Sequence, residues 1–181
     1  MNIYVMRHGT TIWNEKGIFQ GRSNNRLSKQ GIDLVEKCSI DCKNISFDII
    51  YSSPLMRTMQ TANIINKYHN VKIIKDERLI EIDEGIFTRR LKSSLTTNES
   101  FAQEHRLDGY NMESWKAVHN RIEDFVKYIK DNCTYENILI VSHDTPATCI
   151  ENILTNKKIN YNQDMVYRKN FNNAEIRHYI I

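Results

Sequence analysis

The chain begins with a short run of apolar, β-favouring residues that stops at a basic pair. Residues 3–6 (Ile-Tyr-Val-Met) contain no turn residue, a pattern typical of a strand that is buried on both faces. Arg7, His8 and Gly9 follow at once. Open α/β sheets place their chemistry just past the carboxyl ends of their strands. The opening residues therefore predict a buried first strand whose end carries Arg7 and His8 into a functional crevice.

Strands and helices alternate along the rest of the chain. Apolar runs predict further strands at residues 47–51, 71–74 and 137–142, and two short edge strands at residues 165–168 and 174–180. Helices are predicted to begin at Ser28, at the serines of Ser52-Ser53-Pro54, near Glu113, and at Asp144 or Thr145 as the cap. A polar loop is expected at residues 11–27, and weak helical content at residues 101–106.

This alternation predicts an α/β fold, namely a three-layer α/β/α sandwich with a mostly parallel sheet and an antiparallel edge strand. Residues 84–112 are irregular and polar, and insertions of that length are usually lids or binding elements. We therefore expect a lid insertion there. With 181 residues, the chain is predicted to form one domain over residues 1–181.

Charge and cysteine usage narrow the possible partners. The formal net charge is only +3 and the basic residues are scattered, which argues against nucleic acid but suits a small anionic substrate. The four cysteines form no Cys-x-x-Cys pair, and no leader or membrane span is recognisable. We therefore expect reduced thiols and a cytoplasmic protein without membrane contact. The oligomeric state is left open between monomer and homodimer.

Chemistry-bearing side chains follow four of the predicted strands. Arg7 and His8 end the first strand, Arg57 lies on the helix after the second, Glu81 follows the third, and His143 ends the fourth. These strand ends converge in a doubly wound sheet. Guanidinium forks match phosphate oxygens, and a neutral imidazole is a nucleophile. Together these groups meet the needs of phosphoryl transfer.

Several sequence blocks resemble the histidine phosphatase superfamily, whose best-known branch is the cofactor-dependent phosphoglycerate mutases. The first block is Arg7-His8-Gly9-x-Thr11-x-Trp13-Asn14. Further blocks occur in the family's order at residues 19–22, 27–31, 51–62, 79–85, 113–121 and 141–143. Only the last thirty or so residues are assigned from pattern alone. The resemblance implies a phosphoglycerate mutase-like fold.

The resemblance also implies a mechanism and a set of site residues. His8 is expected to attack the phosphorus and carry it as phosphohistidine, and Glu81 to protonate the leaving oxygen and then activate water. Asp83 and Glu84 lie close by, and either remains an alternative acid. The remaining catalytic residues are expected to be Arg7, Arg57 and His143. The expected substrate-binding residues are Arg7, Asn14, Gln20, Gly21, Arg57, His143 and Arg89. No metal and no cofactor are expected.

We therefore expect a metal-independent phosphatase that hydrolyses small phosphomonoesters. Little sequence follows the last motif, so water should reach the phosphohistidine intermediate and hydrolyse it. A phosphoglycerate mutase-type phosphotransferase is the first alternative. A non-catalytic phosphate-binding regulatory module is the alternative from another class, and the intact set of site residues argues against it.

Two features depart from the family pattern or extend it. Asp144 follows His143 where glycine is usual. We expect it to point away from the site as a helix cap, and the alternative is that the substrate carries a positive group. Arg89, Arg90, Lys92 and Arg106 lie in the expected lid. These four residues either recognise a second anionic group of the substrate or form a solvated basic loop.

Overall fold

The computed structural model describes residues 1–157 and 171–181. In these ranges the strands and α-helices, in chain order, are β1 (Asn2–Arg7), α1 (Ile12–Glu15), α2 (Lys29–Asp41), β2 (Ile49–Ser52), α3 (Met56–Ile65), β3 (Lys72–Lys75), α4 (Thr97–His105), α5 (Trp115–Asn132), β4 (Asn137–Ser142), α6 (Asp144–Leu154) and β5 (Ile176–Ile180). The strand predicted at residues 165–168 lies outside the described residues. No helix in the described ranges is long and apolar enough to cross a membrane.

The sheet has the strand order β3-β2-β4-β1-β5. Strands β1 to β4 run parallel to one another, and β5 pairs antiparallel with β1 at the edge. The β1–β4 register sets Arg7 beside Ser142. The two strands therefore end together, and the residues that follow them, His8 and His143, leave the sheet side by side.

Each face of the sheet carries its own apolar core. One face packs Val5 and Ile140 against α5 and α6, for example through Phe125 and Ile150. The other face packs Met6, Leu139 and Val141 against α2 and α3. This confirms the predicted three-layer sandwich with a mostly parallel sheet and one antiparallel edge strand.

Two helices begin differently from the prediction. Ser28 caps α2 as expected, since its side chain accepts a hydrogen bond from the backbone of Gly31. The start of α3 at the serines is wrong, because Leu55 is the N-cap and makes no side-chain cap bond. Ser53 contacts the imidazole of His143 instead. The cap at Asp144 or Thr145 is also wrong, because His143 holds the cap position of α6.

The segment from residue 84 to residue 112 contains more regular structure than expected. It makes 3₁₀ turns at Gly85–Phe87 and Lys92–Ser94, followed by α4. Helix α4 begins four residues before the predicted helical stretch, because Thr96 and Glu99 form a capping box. Glu99 also pairs with Arg90 at 2.6 Å, which ties the helix start to the preceding turn.

The first turn of α2 packs directly on the chain that leaves β1. A Cβ atom added at Gly31 would lie 1.9 Å from the carbonyl oxygen of Thr10, two residues past His8. We expect Gly31→Ala to lower the free energy of unfolding by about 1–3 kcal/mol, as overpacking does. Urea unfolding measures this change. Gln30→Ala, at the exposed neighbouring position, should stay within about 0.5 kcal/mol of the wild type. Equal stability of both variants would contradict the close contact.

Candidate active site

A cavity of about 330 Å³ opens at the carboxyl ends of β1 and β4. Six residues predicted from the sequence line it, namely Arg7, His8, Asn14, Gln20, Gly21 and Glu81. Two more, Arg57 and His143, are fully buried behind His8 rather than in the cavity wall. The convergence expected for strand ends of a doubly wound sheet is thus present in the structure.

The His8 imidazole is held in a single orientation. Its Nδ1 lies 2.6 Å from the carbonyl oxygen of Gly9, which can only accept a hydrogen bond, so Nδ1 carries the proton. Its Nε2 accepts from Nε of Arg57 at 3.2 Å. Burial lowers the pKa of His8 well below its usual value, and the positive charges of Arg57 and Arg7 lower it further. His8 is therefore a neutral imidazole with its lone pair on Nε2.

The Arg57 side chain extends from α3 into the space beneath His8. Its two terminal nitrogens donate to backbone carbonyls, to Ser23 at 2.6 Å and to Gly21 at 2.9 Å. Its Nε points to both imidazoles, His8 and His143. Burial lowers the pKa of Arg57 to about 10, which the negative charge of Glu81 partly opposes. The loop at residues 21–23 thus fixes a cation within 3.2 Å of the His8 lone pair.

The His143 ring follows β4 and faces His8, with 5.2 Å between the ring centroids. Its Nδ1 accepts from Arg57 at 3.1 Å, so Nε2 carries the proton and donates to the hydroxyl of Ser53 at 2.8 Å. Burial and the charge of Arg57 lower the pKa of His143 well below its usual value. The serine that fails to cap α3 thus orients this imidazole.

Arg7 ends β1 and lines the cavity. Its Nη1 donates to the carbonyl oxygen of Phe171 and lies 3.3 Å from a carboxylate oxygen of Asp144. The backbone of Ala174 donates to the Arg7 carbonyl at 3.1 Å, and the side chain of Asn173 donates to the His8 carbonyl at 3.1 Å. Residues 171–175 therefore brace both basic residues. The brace was not predicted from the sequence, because these residues carry no recognisable motif.

Glu81 is a carboxylate of the cavity wall on which the charges of Arg57 and Arg7 act. One oxygen accepts from the backbone of Ile82 at 3.0 Å. Burial raises the pKa of Glu81 to about 7, although the charge of Arg57 opposes the rise. Asp83 accepts from the backbone of Gly85 at 2.8 Å, and Glu84 pairs with Arg106 at 2.8 Å. Asp83 does not line the cavity, and Glu84, which does, is held by Arg106.

Comparison with known proteins identifies the family. A family model described as histidine phosphatase superfamily (branch 1) matches residues 3–178. The chain belongs to this superfamily. Phosphoserine phosphatase 1 of Hydrogenobacter thermophilus is 30% identical over 152 residues, which span 81% of this chain and 72% of that protein.

Two solved structures show the same fold. The alpha-ribazole phosphatase of Shigella flexneri aligns with a TM-score of 0.84 at 22% identity, over 98% of this chain and 89% of that one. A phosphoglycerate mutase of Bacillus anthracis aligns with a TM-score of 0.80 at 22% identity, over 98% of this chain and 86% of that one. The predictions of the family, of the phosphoglycerate mutase-like fold and of an enzyme with phosphatase chemistry are confirmed.

Two amide side chains of this histidine phosphatase present donors to the cavity. The Asn14 amide oxygen accepts from the backbone N–H of Thr11 at 3.1 Å. The Gln20 amide oxygen accepts from the Thr11 hydroxyl at 2.9 Å. Because Thr11 occupies both oxygens, the NH₂ groups are left as donors. The short helix α1, which the sequence analysis assigned to a polar loop, holds Asn14 in this position.

The basic residues of the segment at 84–112 divide into two groups. The structure does not bring Arg89 into the phosphatase site, since it is exposed, has a left-handed φ of 73° and does not line the cavity. Its backbone donates to Phe19 at 2.9 Å, which fixes this geometry. Lys92 and Arg106 line the cavity instead, although Arg106 is already paired with Glu84. Among the described residues, no group of three or more His, Cys, Asp or Glu side chains is placed to hold a metal ion.

Proposed function

We propose that this histidine phosphatase hydrolyses small phosphomonoesters through a phosphohistidine formed at Nε2 of His8. One observation carries the proposal. The proton of His8 is fixed on Nδ1 by Gly9, and the Nε2 lone pair lies beside Arg57 at the inner end of a cavity. A neutral imidazole with its lone pair at a cationic site is a prepared nucleophile for phosphorus.

In the first step Nε2 attacks the phosphorus, and the bond between phosphorus and the leaving oxygen breaks. The phosphoryl group that becomes bound to Nε2 displaces the hydrogen bond that Nε2 accepts from Nε of Arg57. The phosphoryl oxygens then lie next to Arg57 and His143. Arg7 and the NH₂ group of Asn14 approach from the cavity side. These groups stabilise the charge that develops on the equatorial oxygens.

Glu81 handles the proton in both steps. Its pKa of about 7 keeps much of the carboxyl protonated near neutral pH, so it donates a proton to the leaving oxygen. The resulting carboxylate then takes a proton from a water molecule that attacks the phosphohistidine. The bond between phosphorus and Nε2 breaks, inorganic phosphate forms, and Glu81 is protonated again. A pKa near the working pH suits this exchange of roles.

The substrate is proposed to be a small phosphorylated metabolite. The cavity of about 330 Å³ accommodates a phosphate and a small alcohol part. Phe19 and Trp115 give its wall an apolar portion, and Lys92 contributes positive charge, whereas Arg106 is paired with Glu84. Phosphoserine is a first candidate because one relative carries that name. We also propose that residues 1–181 act as a single domain and that the enzyme works in the cytoplasm, consistent with its four unbridged cysteines.

The test is phosphate release from a panel of phosphomonoesters in the presence of a chelator. The panel contains phosphoserine, sugar phosphates, a nucleoside 5′-phosphate, 3-phosphoglycerate and p-nitrophenyl phosphate. We expect release that the chelator does not reduce. Complete loss of release on chelation would contradict a metal-independent mechanism. A folded protein that releases phosphate from none of them, but interconverts phosphoglycerates when 2,3-bisphosphoglycerate is added, would be a mutase.

A further inference from the structure

Asp144, the first residue of α6, turns its carboxylate toward the active site rather than toward its own helix. One oxygen lies 3.3 Å from Nη1 of Arg7, and the other accepts from the backbone N–H of Phe171 at 3.2 Å. The side chain is only 17% exposed and lines the cavity. A carboxylate in this position is unexpected for a site that binds a dianion, because like charges repel.

Asp144, Arg7 and Phe171 form a closed arrangement. The Phe171 backbone donates to Asp144 through its N–H and accepts from Arg7 through its carbonyl oxygen. Phe171 is itself immobilised, since its ring is fully buried in the core and the guanidinium of Arg177 stacks on it at 4.0 Å. Nε of Arg7 is buried without a partner among the described residues, so the Nη1 contacts orient the guanidinium.

The charge of Asp144 acts on two catalytic groups. It lies next to Arg7, whose positive charge it offsets in part. It also acts on Glu81: Asp144 raises the pKa of Glu81, whereas Arg57 and Arg7 lower it. Burial is the larger cause of the raised pKa, and the nearby backbone N–H of Ile82 opposes it.

We infer that Asp144 acts through Arg7: its carboxylate offsets part of the Arg7 charge, so that the site releases phosphate readily. This inference rests on the proposed function, because it assigns Arg7 to the phosphate oxygens. It predicts that the carboxylate limits the affinity of the site for the dianionic product. A residue that serves only the fold has no such effect.

The test compares the wild type with Asp144→Asn, which removes the charge: its amide oxygen can still accept from Phe171, and its NH₂ group replaces the carboxylate oxygen beside Arg7. We expect inorganic phosphate to bind about two- to fivefold more tightly, as titration calorimetry measures, because a partly exposed ion pair contributes up to about 1 kcal/mol, which is about fivefold. The KM for an alkyl phosphate should fall in parallel. The high-pH limb of kcat for that substrate should move to lower pH, since Glu81 loses a neighbouring negative charge.

Controls separate the possible outcomes. Asp131→Asn removes one exposed carboxylate near the end of α5 and should leave phosphate affinity unchanged. Where Asp144→Asn does not fold, Asp144→Ser keeps a short acceptor and carries the same expectation. Unchanged or weaker phosphate binding in a folded variant would overturn the inference. If the wild type binds phosphate but hydrolyses no ester, the proposed function fails, and the calorimetric comparison still tests the role of Asp144.

Discussion

Replacement of His8 by alanine is expected to lower the rate of phosphate release by at least about 10⁴-fold, as loss of a covalent nucleophile does. No other imidazole among the described residues lines the cavity, because His143 is fully buried behind His8 and its Nδ1 accepts from Arg57. The rate is measured in a discontinuous assay, in which the reaction with p-nitrophenyl phosphate or phosphoserine is quenched and the released inorganic phosphate is determined.

A covalent label supplies the second measurement. Wild-type protein quenched in alkali during turnover of a ³²P-labelled ester should retain label on His8, and His8→Ala should retain none. His178→Ala is the matched control, since His178 is exposed on β5 and stacks on Tyr4 away from the cavity. Near-normal turnover by folded His8→Ala would refute the phosphohistidine mechanism.

Replacement of Glu81 by glutamine is expected to reduce kcat for alkyl phosphates by about 10²–10⁴-fold, the usual contribution of a general acid. The loss should be much smaller for p-nitrophenyl phosphate in the phosphorylation step, because nitrophenolate leaves without protonation. The leaving-group dependence therefore separates a lost proton donor from a damaged site. Burst kinetics with p-nitrophenyl phosphate measure the phosphorylation step apart from hydrolysis of the intermediate.

The pH profile gives a sign as well as a magnitude. A carboxyl group with a pKa of about 7 is protonated below that pH, so phosphorylation by alkyl phosphates should slow as the pH rises through about 7. In Glu81→Gln this limb should disappear. Asp83→Asn and Glu84→Gln are the matched comparisons, because Asp83 does not line the cavity and Glu84 is paired with Arg106. Disappearance of the limb in either of these, and not in Glu81→Gln, would assign the acid to a different residue.

Much of the site was predictable because it depends on where strands end. Arg7, His8 and His143 directly follow apolar runs, and the topology of a parallel sheet brings such positions together. The choice of Glu81 as the acid depended on the family resemblance, since Asp83 and Glu84 are carboxylates only two and three residues further along the chain. Burial and partners distinguish the three carboxylates, and neither is visible in the spacing of residues.

The errors have a common origin in contacts between distant parts of the chain. Ser53 is a residue type that often caps helices, but its hydroxyl instead forms a hydrogen bond with His143, 90 residues later. Asp144 is also a residue type that often caps helices, yet its carboxylate pairs with Arg7 and accepts a hydrogen bond from the backbone of Phe171. Arg89 was expected in the site by position alone, and its left-handed backbone directs it elsewhere. The helix and capping propensities of single residues do not predict such contacts between distant parts of the chain.

The brace formed by residues 171–175 has a consequence for the order in which the enzyme is made. Strand β1 precedes both of its neighbours in the sheet, residues 137–142 and 176–180, in the chain. An apolar strand therefore stays unpaired during synthesis until residues 137–142 have emerged from the ribosome, a state that is prone to aggregation and open to chaperone binding. His8 is translated long before the scaffold that holds it, which is complete only when residue 180 has emerged.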